Sequence, residues 1–254
     1  MKIGICCSAL DHAEICINAG ADFIEVNNNK ISAMSDEEFN AALELSQKYP
    51  GKFLACNGLI PGTHRVTGEN VDFDAIRDFC EFSFERLARL GVKILVFGSS
   101  AAKNVPEGFS FETAMEQLVK SVQIFADVAK KHSQIVVIEP LRHVECNIIN
   151  LVSESKQLAD LSERDNVMAH VDFFHMMQNE ETLTELQKYA DSLGHVHIAS
   201  PVARKIPTFD DGANYKAFMD IIRDANPDQT VSFEGKSEFD PKKLKTMFSF
   251  LKSL

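Results

Sequence analysis

The chain has 254 residues and a formal net charge of −11, which argues against a nucleic-acid backbone or an anionic membrane surface as partner, since both are met by basic patches. Hydrophobic residues make up 45% and charged residues 25%, ordinary for a soluble globular protein with one large core and no need of a second domain. Six cysteines (Cys6, Cys7, Cys16, Cys56, Cys80, Cys146) form no C-x-x-C pair, no apolar run nears the roughly 18 residues of a membrane span, and MKIGICCSAL turns polar too soon for a signal peptide, so a reducing cytoplasm is expected.

Short apolar runs alternate with amphipathic stretches from end to end. IGICCS (3–8) reads as a first strand, followed by a short helix over 12–19 that Gly20 closes. FIEVN (23–27) precedes a helix over 36–49, where Ser35 and Glu38 form a capping-box pattern. FLACNGL (53–59) leads through the longest connection, 60–72, to a helix over 73–90 that stops at Gly91. ILVFGS (94–99) is followed by the loop 98–110 and a helix over 110–132. IVVIEP (135–140) is a continuous Ile/Val run stopped by proline, the pattern of a parallel strand buried on both faces. VMAHVDF (167–173), VHIAS (196–200) and VSFEG (231–235) follow, with helices expected over 153–163, 180–193 (Gly194 as its cap), 214–225 and 241–253. Eight β-then-α units without a linker predict a single (β/α)8 TIM barrel over 1–254. The alternative, an open doubly wound sheet, lacks its G-x-G-x-x-G.

The last four strands share one feature: each ends in a side chain able to bind a metal. These are Glu139 in VVIEP, Asp172 in AHVDFF, His197 in HVHIA and Glu234 in VSFEG. Side chains alternate across a strand, so Glu139 shares a face with Val137 and Ile135, Asp172 with His170 and Met168, His197 with His195, and Glu234 with Ser232. If those faces point inward, the four converge at the barrel's C-terminal mouth, where such barrels build their sites. Three carboxylates so placed would raise one another's pKa unless a cation sat among them. Three carboxylates and one imidazole suit a hard or borderline divalent ion: Mn²⁺ first, with Mg²⁺ or Co²⁺ next and Zn²⁺ as a further candidate, though not in a thiolate-rich site.

E-P-L-x-x-x-E at Glu139–Glu145, H-x-D-x-x-H at His170–His175, H-x-H at His195–His197 and R-K-I-P at Arg204–Pro207 together resemble the xylose-isomerase-like barrel superfamily. Within it they are most similar to the ketose 3-epimerases of the tagatose/psicose type. The resemblance implies that Glu139, Asp172, His197 and Glu234 bind the metal, that Glu139 and Glu234 are the acid/base pair on opposite faces of the substrate, and that Glu145, His175 and Arg204 hold the sugar. It also implies a homo-dimer or homo-tetramer, since barrels of this kind often pair. Two departures stand out: Arg142 occupies a position where a small polar residue is common, and there is no tryptophan, so Phe97, Phe109, Phe173 or Phe174 would have to supply the aromatic wall against the sugar.

The chemistry follows from the residue types. A proton next to a ketose carbonyl is too weakly acidic for a bare carboxylate, and a divalent ion chelating the carbonyl and a neighbouring hydroxyl stabilises the enediolate. One carboxylate takes the proton and another returns one, giving an epimer on the opposite face or an isomer at the adjacent carbon. A metal-dependent sugar or sugar-phosphate isomerase or epimerase is the expected function. An inosose-dehydratase-like or hydroxypyruvate-isomerase-like enzyme uses a similar site. The DNA-cleaving branch of the fold would need further histidines and a basic surface, and a catalytically silent sugar-binding barrel would have no use for two acids. Weaker candidates are Glu25 as a pocket residue, His64 as a substrate contact, Met176 and Met177 as pocket wall, and Gly98-Ser99-Ser100 with Lys103 as a phosphate cradle, the last better read as a plain turn.

Overall fold

Eight parallel strands close into a barrel in sequence order: β1 (Lys2–Cys6), β2 (Phe23–Asn27), β3 (Phe53–Asn57), β4 (Ile94–Phe97), β5 (Ile135–Ile138), β6 (Val167–Asp172), β7 (Leu193–Ile198) and β8 (Thr230–Phe233). The computed structural model describes residues 1–7 and 10–254. Ser8, expected at the end of the first strand, lies outside the described residues. Closure is made by β8 on β1, with Lys2 opposite Thr230 and Ile5 opposite Phe233, so among the described residues no strand edge of the barrel is left unpaired.

Most strand sequences sort by parity, with register shifts where β2 meets β3 and β6 meets β7. Ile24 and Val26, Leu95 and Phe97, Val136 and Ile138, Ala169 and Val171, Val196 and Ile198 point outward into the large core shared with the helices. The opposite parity, Phe23, Ala55, Ile94, Val96 and Val137, fills the barrel floor as a separate apolar plug with Ile135 and Met168 against it. A side chain at Gly4 would stand 2.5 Å from the Phe23 ring, so glycine there lets the ring fill the axis. Truncating such a buried ring costs about 3–5 kcal/mol.

Helices cover the outside. The helix Asp36–Lys48 carries the expected capping box, with Ser35 Oγ accepting from Glu38 N at 3.2 Å and Glu38 Oε2 accepting from Ser35 N at 2.7 Å. Gly20 and Gly91 close their helices at positive φ, 117° and 99°. Two expectations are corrected. The stretch 180–193 is a five-residue helix, Leu183–Gln187, and a 3-10 turn, Ala190–Ser192, because β7 already begins at Leu193. Gly194 is therefore a strand residue, and a side chain there would meet Val137 at 2.7 Å and Met168 at 3.0 Å. Short helices at Asn28–Ser32, Ser100–Lys103 and Phe173–Gln178, each leaving a strand's C-terminal end, were not anticipated. Among the described residues no helix is long and apolar enough to cross a membrane.

Candidate metal centre and active site

Above the apolar floor the inward parity turns polar, and the four strand-end residues meet. Glu139 follows β5 directly, yet its N–H still bonds Phe97 O at 3.1 Å, so it keeps the inward register while Pro140 ends the ladder. Asp172 closes β6 and caps the next short helix, Oδ1 accepting from Phe174 N at 2.8 Å, which leaves Oδ2 for the site. His197 lies one residue before the end of β7. Glu234 follows β8, its N–H bonding Ile198 O at 3.2 Å. One ligand atom from each of Glu139, Asp172, His197 and Glu234 lies within 4.8 Å of every other.

The ring of His197 fixes the electrostatics. Its Nδ1 is 3.3 Å from Glu139 Oε1 and 3.3 Å from Glu234 Oε2, while its Nε2 is 2.9 Å from Glu25 Oε1. Burial disfavours charge on this ring, but Glu25 and then Glu234 outweigh it and hold the pKa well above the ordinary value. Arg204 Nη2 reaches Asp172 Oδ2 at 2.9 Å and also bonds Glu234 Oε2, and Asn57 Nδ2 donates to Glu234 Oε1 at 2.9 Å. Burial would raise the Glu234 carboxyl, yet His197 and Arg204 pull it down to about 2. Asp172 is pushed up instead, burial outweighing Arg204. An imidazole lone pair facing carboxylate oxygens at 3.3 Å is a set of acceptors aimed at one point, and it is satisfied only by a cation or a proton between them. The donor set fits a single divalent ion held by Glu139, Asp172, His197 and Glu234.

Glu139 and Glu234 border a cavity of about 310 Å³, also lined by Asn27, Asn57, Ser99, Glu145, His175 and Arg204. His175 is buried and its pKa falls to about 4, mainly through burial, so the ring is neutral near pH 7. Arg142 N donates to its Nδ1 at 3.3 Å, which places the hydrogen on Nε2. That Nε2 has no hydrogen-bond partner and lies 3.5 Å from Asp172 Oδ2, a spare donor at the cavity wall.

The profile of xylose isomerase-like TIM barrels matches residues 13–254. The chain belongs to that family. A curated relative, hydroxypyruvate isomerase of Escherichia coli (strain K12), is 26% identical over 136 residues, 52% of this chain and 52% of that protein. The match thus spans about half the length of the curated relatives. Among solved structures, D-psicose 3-epimerase with D-tagatose from Clostridium cellulolyticum H10 superposes with a TM-score of 0.83 at 17% identity, covering 100% of this chain and 99% of that one. The IOLI protein, solved with a zinc atom, gives a TM-score of 0.69 at 15% identity over 100% of this chain and 96% of that one. At such identities the structural likeness speaks for the fold.

Within this family barrel the seven residues expected from sequence lie together. Glu145, His175 and Arg204 share the cavity with Glu139 and Glu234, while Asp172 and His197 are buried at its base. The aromatic wall is not where it was expected. Phe97 and Phe173 are fully buried, Phe109 lies against the helical core, and none of the four phenylalanines lines the cavity, whose wall is mostly polar, with Ile60 and Leu141 as its larger apolar members. Phe174 acts from behind: the Arg142 and Arg204 guanidinium groups each lie 5.0 Å from its ring. Arg142, the departure from the family pattern, bonds Glu145 Oε1 at 2.6 Å and so holds that acid at the rim.

The weaker candidates resolve differently. His64 packs 4.9 Å from Phe79, and Met176 and Met177 lie outside the cavity lining. Lys103 is fully buried and donates to Glu139 O at 2.8 Å, so it steadies that strand end and cradles no phosphate. Glu25 does not line the cavity; it sits beneath His197. Reasoning from sequence missed Asn27 and Asn57, and gave Gly98 only as part of a turn. Their signal was present, since each lies at or just past the end of β2, β3 or β4, as Glu139 does on β5.

Proposed function

We propose that the protein is a metal-dependent epimerase or isomerase of a small ketose, working by proton transfer next to the carbonyl. The observation that carries this is the meeting of two carboxylates, Glu139 and Glu234, at one imidazole nitrogen on the floor of a polar, monosaccharide-scale cavity.

Glu139, Asp172, His197 and Glu234 would hold the divalent ion, which when bound supplies a Lewis acid that acidifies the C–H beside a ketone and shares the enediolate charge. Glu139 and Glu234 face the cavity from non-adjacent strands, so one can remove the carbon-bound proton and the other return it from a different direction. Return to the opposite face inverts that carbon; return to the neighbouring carbon exchanges aldose and ketose. Neutral His175 offers Nε2–H to a carbonyl or hydroxyl oxygen. Arg204 and Glu145 offer charged hydrogen-bond partners for further hydroxyls, and the amides of Asn27 and Asn57 complete a wall suited to a polyol. Asn27 Nδ2 donates to Asn57 Oδ1 at 3.0 Å, which aims Asn57 at Glu234.

A second reading is isomerisation of a small 2-oxo acid, favoured by the relative hydroxypyruvate isomerase. The proton transfer is the same, and Arg204 would take the substrate carboxylate. One experiment separates them: a panel of neutral ketoses, ketose phosphates and 2-oxo acids in D₂O with Mn²⁺, read by NMR for deuterium at the reacting carbon. Exchange into a ketose supports the first reading and exchange into an oxo acid the second. No exchange into any member of the panel defeats both.

A further inference from the structure

A second row of polar side chains lies under the four ligands, with no part in the proton transfer just described. Glu25, His195 and Ser232 are completely buried, and Thr230 closes the row. Glu25 uses both oxygens: Oε1 meets His197 Nε2 at 2.9 Å and Oε2 meets His195 Nε2 at 2.9 Å. His195 Nδ1 in turn lies 2.6 Å from Thr230 Oγ1. A buried carboxylate is tolerated only when its oxygens receive hydrogen bonds, and a carboxylate accepts without donating. The Nε2 atoms facing Glu25 therefore carry hydrogen, while His195 is further held by Thr230 against its Nδ1 and by Ser232 Oγ 3.2 Å from its Nε2.

For His197 the consequence is directional. With hydrogen committed to Nε2 on the Glu25 side, the proton that a metal ion displaces is the one on Nδ1, the atom 3.3 Å from both Glu139 and Glu234, and the ring then presents its lone pair there. We propose that Glu25 is the positioning residue of the metal centre, fixing His197 as the Nε2–H tautomer so that Nδ1 is its ligand atom, with His195 and Thr230 holding Glu25 in place. The proposal rests on the reading of Glu139, Asp172, His197 and Glu234 as a metal site. It acts on the ion through His197, since Glu25 lies outside the cavity lining. Outer partners of this kind set ligand orientation and basicity, and removing one weakens metal binding by about 10–100-fold.

Two measurements test it, neither of them activity. Histidine-¹⁵N NMR of the wild-type protein loaded with Zn²⁺ should show His197 protonated on Nε2 and metal-bound through Nδ1. The reverse pattern, hydrogen on Nδ1 and metal on Nε2, overturns the proposal. Calorimetric titration with Mn²⁺ should show Glu25→Gln binding about 10–100-fold more weakly than wild type, because the amide's donor faces an N–H and turns one ring over. Thr230→Val should weaken binding in the same direction but less. Wild-type affinity in a folded Glu25→Gln protein overturns the proposal, and if that variant fails to fold the wild-type spectrum still decides. Absence of any divalent-ion binding by wild type would defeat the metal reading itself, whereas binding through His197 Nε2 would defeat only the role given to Glu25.

Discussion

Glu139 and Glu234 come from strands that do not touch, yet each places a carboxylate oxygen 3.3 Å from the same atom, Nδ1 of His197. A side chain that only shared in binding the ion could be replaced with partial loss, but an acid or base in the transfer cannot. Glu139→Gln and Glu234→Gln should each lower kcat by about 10²–10⁴-fold while circular dichroism stays native. Deuterium exchange under single-turnover conditions tells them apart: the variant that loses exchange altogether has lost the base for that substrate. Full activity in either variant would remove that residue from the mechanism.

Chelation gives a second expected outcome. Treatment with EDTA should abolish turnover, and Mn²⁺ or Co²⁺ should restore it. Because an ion bound to the folded state alone stabilises it by mass action, about 2.7 kcal/mol at a hundredfold excess over Kd, the Tm should rise as Mn²⁺ is returned. An unchanged Tm with undiminished activity in EDTA would argue for a metal-free reaction.

Much of this arrangement was legible in the chain itself, and the reasons are physical. The Ile/Val runs marked strands covered on both faces, and their period of two placed Glu139, Asp172, His197 and Glu234 each on a definite face of its strand, so that one condition, that these faces point inward, brought them together. Capping chemistry at Ser35, Gly20 and Gly91 was equally local. What escaped was set by packing between distant segments. Gly194 looked like a helix cap, but it is small because Val137 and Met168 crowd the barrel axis. Glu25 read as a pocket residue or an ordinary strand-end acid, and not as a partner of histidines, because His195 and His197 lie about 170 residues away. The aromatic wall failed for a similar reason: Phe97 and Phe173 belong to the outward parity and pack under helices, which a motif comparison does not register.

Substrate charge should matter in a definite direction. The cavity lining carries Glu139, Glu145 and Glu234 against one permanent cation, Arg204, whose guanidinium is already bonded to Asp172 and Glu234. Lys103 is buried away from it. A doubly charged phosphate brought into this acidic surround gains little and meets repulsion. Neutral ketoses should show higher kcat/KM than the corresponding ketose phosphates, and the gap should narrow as ionic strength rises. A clear preference for phosphates would mean that Arg204 leaves its acids when substrate binds.

Glu181 offers a pH signature remote from the chemistry. Its Oε1 accepts from Val152 N at 3.0 Å, but Oε2 is buried without a partner. Burial, with Glu154 and Glu185 nearby, pushes its pKa from 4.5 to about 7. The folded state therefore holds a proton that the unfolded state gives up between pH 4.5 and 7. This group's contribution to stability is full below pH 4.5 and is lost as pH rises through 7. Glu181→Gln, which keeps an acceptor for Val152, should match wild type in Tm at acid pH and exceed it at pH 8. Parallel Tm profiles would remove the effect.

Gly98 tests whether activity here depends on placement more finely than stability does. It follows the last residue of β4, the strand beside β5, and a side chain there would collide with Glu139 Oε2 and come within 3.6 Å of Leu141 Cδ2. The backbone at this glycine is not left-handed, so alanine brings no conformational strain of its own. What must yield is the tip of a carboxylate, which can rotate at small energetic cost, and Tm should fall by only a few degrees. The reaction is less forgiving, because a shift of about 1 Å in a reacting group can cost on the order of 10²-fold in rate. Gly98→Ala should therefore lose kcat about 10²-fold while staying folded, with Mn²⁺ affinity also reduced through the displaced Glu139. If kcat and metal affinity both match wild type, Glu139 has room that the structure denies it, and its part in the site would have to be reassigned.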